Sequence, residues 1–153
     1  MMKLFYLSIL LFSNAIFACS LAPSMESFVI NPGYHLTKKP LKPRFELIKV
    51  KRGYDDGNYA SCSDAGIITI KAISKYTSNA VAYKFEIVAG ELEDSVFPEG
   101  AVQSLNGNEF YFVWLDGSSN KQEPIEIILK IVALSPSGIE SEPSLLRISH
   151  PGT

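Results

Sequence analysis

Val81-Ala82-Tyr83-Lys84-Phe85-Glu86-Ile87 places an apolar residue at every odd position, with Lys84 and Glu86 between them. A period of two marks a β-strand with one dry and one wetted side, because successive side chains of an extended chain leave on opposite faces. Aromatic and β-branched residues at the dry positions suit a pleated surface. The pattern recurs on both sides of this stretch. Phe45 and Leu47 flank Glu46, and Val50 then falls out of phase, which predicts a bulge. Gly66 opens a run in which Ile68, Ile70 and Ala72 alternate with Thr69 and Lys71. Phe110, Phe112 and Trp114 share one face of the next strand, and Asp116-Gly117 ends it with turn chemistry. Ile125, Ile127, Leu129, Ile131 and Ala133 form an inner row, with Glu126, Ile128 and Lys130 opposite. Ser135-Pro136-Ser137-Gly138 turns the chain, and Leu145 to Ser149 returns it.

No window carries a helical period with caps. Strands separated by turn signals every eight to twelve residues or so point to two facing sheets. The expectation is an all-β chain folded as a single antiparallel β-sandwich of about seven strands, over residues 44–150.

Upstream lie two segments of different character. Residues 1–18 begin Met1-Met2-Lys3 and continue in an apolar run to Ala18, interrupted by Ser8, Ser13 and Asn14. A cationic start, a short apolar run and a small residue at the junction predict a signal peptide and an exported, periplasmic or secreted, mature chain. Residues 19–43 hold Pro23, Pro32, Pro40 and Pro43. Prolines at that density oppose helix, so this arm is expected to be extended and to add one short edge strand around Phe28.

The chain has two cysteines, Cys19 and Cys62, and both survive cleavage after Ala18. In an oxidising compartment an even pair predicts a disulfide, worth about 4 kcal/mol in the chain-entropy picture. The alternative is lipidation. Ile16-Phe17-Ala18-Cys19 resembles the bacterial lipobox, and Ser20 after it would suit outer-membrane sorting. The even cysteine count favours the disulfide, and neither cysteine has a second thiol or histidine at ligand spacing for zinc.

Fourteen basic residues against sixteen acidic ones give a formal net charge of −2, which offers no electrostatic case for nucleic acid. No segment after the leader is long and apolar enough to predict a transmembrane helix.

Nothing in the sequence assembles a catalytic set, so neither an enzyme nor a cofactor is expected. His35 lies in the arm and His150 in the tail, with no nucleophile motif or ligand-spaced carboxylate beside either. Asp55, Asp56, Asn58 and Asp64 offer oxygens, but their spacing is that of a turn and not of an EF-hand loop. Glu93, Asp94 and Glu99 read as solvated charge of the Gly90 to Gly100 loop. Trp114, the only tryptophan, stands beside Asp116 and a polar loop, which makes the pair candidates for contact with a protein or glycan partner. The phase of Trp114 with Phe110 and Phe112 argues for the core instead. Ile128, Val132 and Leu134 fall on the nominal outer side of their strand, so the arm or a partner must cover them.

Residues 127–148, from Ile127 through Ala133, Gly138, Ser141, Pro143 and Ser144 to Ile148, resemble the closing hairpin of fibronectin type III domains. Pro40, Pro43 and the Val81 to Ile87 strand also lie where such a domain has counterparts. The resemblance implies a fibronectin type III-like or immunoglobulin-like sandwich and carries no activity with it. The functional expectation is an exported, non-enzymatic binding or envelope module. An outer-membrane lipoprotein lipidated at Cys19 and a secreted hydrolase inhibitor presenting the Gly90 to Gly100 loop are the alternatives.

Overall fold

Eight strands form among the described residues, which in this computed structural model are 21, 23–34, 38–58, 61–73, 82–92, 96–117 and 121–152. In chain order they are β1 (Met25–Ser27), β2 (Phe45–Lys51), β3 (Ala65–Ala72), β4 (Ala82–Ala89), β5 (Val102–Ser104), β6 (Glu109–Leu115), β7 (Ile125–Leu134) and β8 (Ser144–His150). One sheet runs β1-β5-β4-β7-β8 and the other β2-β3-β6, with every pairing antiparallel. The protein is an all-β, two-sheet antiparallel sandwich.

The alternation read from the sequence sets which side chains meet. Ile68, Ile70, Phe110, Ile127, Leu129, Ile131 and Ile148 are completely buried between the sheets. Phe45 of β2, Tyr83 and Phe85 of β4 and Phe110 of β6 meet as an aromatic cluster, with ring centroids 5.0 to 5.8 Å apart between facing rings of the two layers. Edge-to-face contacts such as Phe45 on Tyr83 add to the area term, because the positive ring edge meets a negative face. The bulge foreshadowed by Val50 lies between Leu47 and Lys49, where the β2–β3 register shifts.

Two parts of the core went unread in the sequence. Strand β5 is a strand of three residues that contributes Val102, and Phe97 of the Gly90 to Gly100 loop turns inward against Phe112, with centroids 4.4 Å apart. That loop is therefore not wholly solvated. It drops an aromatic plug between the sheets. Glu93 and Asp94 lie outside the described residues, and Glu99 is exposed.

The arm contributes β1 just before Phe28, whose N–H donates to the Ala101 carbonyl at 2.8 Å. Farther on, Asn31 N–H donates to the Pro136 carbonyl, and Ile30 lies against Gly138. The arm thus reaches the turn that follows Val132 and Leu134, which are 8 % and 0 % exposed. Among the described residues no helix is long and apolar enough to cross a membrane. The leader, Cys19, His35 and the Ser78-Asn79 turn lie outside the described residues.

Candidate binding surface

Trp114 and Asp116 are brought together, but as parts of a polar lock at one end of the sandwich. The indole Nε1 of Trp114 donates to Asp116 Oδ1 at 3.1 Å. The Arg52 guanidinium donates to both carboxylate oxygens, Nε to Oδ2 at 2.8 Å and Nη2 to Oδ1 at 2.9 Å. Gly53 N–H adds a bond to Oδ2 at 2.6 Å, and Arg52 Nη1 reaches the Glu123 carbonyl at 2.7 Å. Gln122 Nε2 donates to the Gly53 carbonyl at 2.8 Å. The ion pair is nearly dry, with side chains 9 % and 5 % exposed. Burial pushes the Asp116 carboxyl up. The Arg52 hydrogen bond, the Gly53 amide, the Arg52 charge and the indole outweigh it and hold that group below its ordinary value. A bidentate Arg–carboxylate pair that also takes an amide and an indole is committed to joining the β2, β6 and β7 ends. Trp114 itself is 8 % exposed, so its face is turned to the core and Gly66.

The acidic turn behaves as turn chemistry. Asp55 Oδ1 accepts from Gly57 N–H, and Asp56 accepts from Asn58 N–H and the Ser61 hydroxyl. Those bonds, the Asn58 amide first, lower the Asp56 carboxyl. Asp64 is buried, with Oδ1 lacking a hydrogen-bond partner, while its backbone carbonyl accepts from the Asp116 and Gly117 amides. Among the described residues no three His, Cys, Asp or Glu side chains gather as a metal site. His150 is not in a loose tail but closes β8 opposite Ile125, and its Nδ1 accepts from Gly152 N–H. Cys62 opens a single 3₁₀ turn, Cys62–Asp64, and is exposed.

A different surface has the shape of a site. On the flank where β1 and β6 approach, a groove of about 490 Å³ is lined by Met25, Val96, Phe97, Pro98, Val102 and Val113, with Glu26 and Glu99 at its margin. Its residues come from three separate stretches of chain, which is why no local motif announced it. Ser24 closes one end. Its hydroxyl accepts from Tyr111 N–H at 2.8 Å and points to the Tyr111 carbonyl at 3.4 Å, while its own carbonyl accepts from Leu105 N–H. One buried serine therefore ties both sheets together at this edge.

No family model, curated protein or solved structure matches the chain.

Proposed function

We propose that the protein is an exported, non-enzymatic β-sandwich that works by binding, as an envelope or secreted module of fibronectin type III-like kind. The groove beside β6 carries the binding reading. It is concave and largely apolar, with a few polar groups at its rim, as recognition surfaces are. The most buried ion pair among the described residues, Arg52 with Asp116, is spent on itself and on backbone, which suits a rigid scaffold.

The strand order supports the fibronectin kinship. Leaving β1 aside as an arm strand, three strands, β2-β3-β6, face four, β5-β4-β7-β8. The fourth strand of that sandwich, β5, sits beside the third, whereas in the immunoglobulin constant arrangement it joins the first sheet. Export rests on the leader, and the Cys19–Cys62 disulfide on the even cysteine count, with no free thiol among the described residues.

Intact-mass measurement of the exported protein tests compartment and cysteine chemistry together. The expected species begins at Cys19 and lacks two hydrogens. A diacylglyceryl addition on Cys19 replaces this reading with the lipoprotein one, and a retained leader removes export. Cross-linking in the native envelope tests binding, and a reproducible stoichiometric partner is expected. Recovery of the protein alone, at every cross-linker length, sinks the binding role.

A further inference from the structure

Strand β6 is half-paired. Phe110, Phe112 and Trp114 sit opposite Ile70, Ile68 and Gly66 of β3, and the Ala72 N–H to Asn108 carbonyl bond fixes the phase of the ladder. Even-numbered residues of β6 therefore exchange hydrogen bonds with β3, and odd-numbered ones direct N–H and C=O away from it. Tyr111 confirms the phase, since its outward N–H meets the Ser24 hydroxyl. Val113 and Leu115 point the same way, and among the described residues nothing accepts from or donates to their main chain.

Natural sheets guard such edges with charge, proline or a cover. The edge strand β2 carries Glu46, Lys49 and Lys51, β8 carries Arg147, and β1 carries Glu26. From Phe110 to Leu115, β6 carries no charge, and Leu115 is 73 % exposed. The open edge borders the apolar groove, whose floor is the Phe97–Phe112 pair. The charged residues lining that groove, Glu26 and Glu99, are both acidic.

We infer that this flank binds an extended segment of a partner protein, which adds as a strand to β6 at Val113 and Leu115. Alternate side chains of that segment enter the groove over Phe97, and basic residues meet Glu26 and Glu99. An extended main chain is the ligand that satisfies alternating donors and acceptors at strand spacing. Charge complementarity makes it a basic segment. A second copy of this chain fits less well, because its β6 carries no basic residue from Phe110 to Leu115 and would bring a second Glu26 and Glu99 to the same acidic flank. The inference rests on the binding-module reading and specifies its surface.

The test uses the oxidised mature chain, isotope-labelled for NMR, and a synthetic hexapeptide of alternating valine and threonine with a lysine at each end. Binding is expected to saturate, to slow amide exchange at Val113 and Leu115 about tenfold, and to shift Phe97. Replacing the lysines with glutamates is expected to weaken binding at least about threefold. Val113→Pro removes an edge donor without touching the β3 ladder, and it should abolish the slowing. If that variant does not fold, Leu115→Lys, at an exposed position, serves in its place with the same expectation. No slowing by either peptide overturns the proposal, as does binding that the edge variants leave intact. Val113 and Leu115 amides already protected in a dimer overturn it in favour of a second copy. Equal binding of the acidic peptide removes the basic partner. A partner cross-linked in the envelope through another face would leave the module reading standing while this surface fell.

Discussion

Ser24 and Tyr111 lie 87 residues apart, yet the serine hydroxyl faces both the N–H and the carbonyl of the tyrosine. The hydroxyl stands in for one residue of a missing neighbour strand, and the same serine holds β5 through its carbonyl. The arm is thereby part of the sandwich edge. It also marks where the capped part of β6 ends and the open part begins.

Ser24→Ala removes that bridge and leaves the Tyr111 N–H without its acceptor. Because Ser24 is only 5 % exposed, water has little access to take its place. The expected cost is about 1–3 kcal/mol, read as a lowered denaturation midpoint, with faster amide exchange at Tyr111. A midpoint and a Tyr111 exchange rate equal to those of the natural chain would contradict the bridge.

The Arg52–Asp116 lock predicts an acid dependence of definite sign. Asp116 titrates below its ordinary value of 3.8, so the folded state holds this proton less tightly than the unfolded chain does. Its stabilising contribution is complete above the unfolded value and disappears as the pH falls through the folded one. Asp116→Asn should flatten the loss of stability as the pH falls below the ordinary value of 3.8. Asp116→Ala, which strands a buried guanidinium, should cost about 3–5 kcal/mol at neutral pH. An acid limb with the same slope in both proteins would refute the lock.

Gly66 is where β3 passes under the indole. A Cβ built there would stand 2.3 Å from Trp114 Cε2 and Cζ2, and the ring is held by the core and by Asp116. Gly66→Ala is expected to destabilise by about 1–3 kcal/mol through overpacking. It should also shift the emission of the only tryptophan. Unchanged fluorescence and unchanged stability together would rule out the close approach.

Tyr83 gives a prediction at the alkaline end. Burial pushes its phenol up to about 12, and it is 5 % exposed beside Phe45 and Phe110. Between the ordinary value of 10.0 and about 12 the unfolded chain releases this proton first, so stability falls as the pH rises through that window. Ultraviolet titration of phenolate should find a tyrosine that ionises late, and Tyr83→Phe should remove its step. A titration in which every tyrosine ionises near 10 would refute its burial.

The inner rows were legible because a period of two is local. Ile68, Ile70, Phe110, Phe112, Ile127, Leu129 and Ile131 all read as buried from their neighbours alone, and all are. Phe97 and Val102 did not, because a lone aromatic in an acidic loop and a strand of three residues have no period to display. The groove was invisible for a related reason. Met25, Phe97, Val102 and Val113 belong to three stretches that only folding brings together.

Alternation along each strand settled which faces are dry, since a pleated chain sends neighbouring side chains to opposite sides and water penalises the oily ones. Which edges stay open was a matter for the assembled sheets. Whether a main-chain N–H of β6 finds Ser24 or finds nothing depends on where an arm 87 residues away comes to rest. That placement is fixed by long-range hydrogen bonds and packing, which no window of sequence contains.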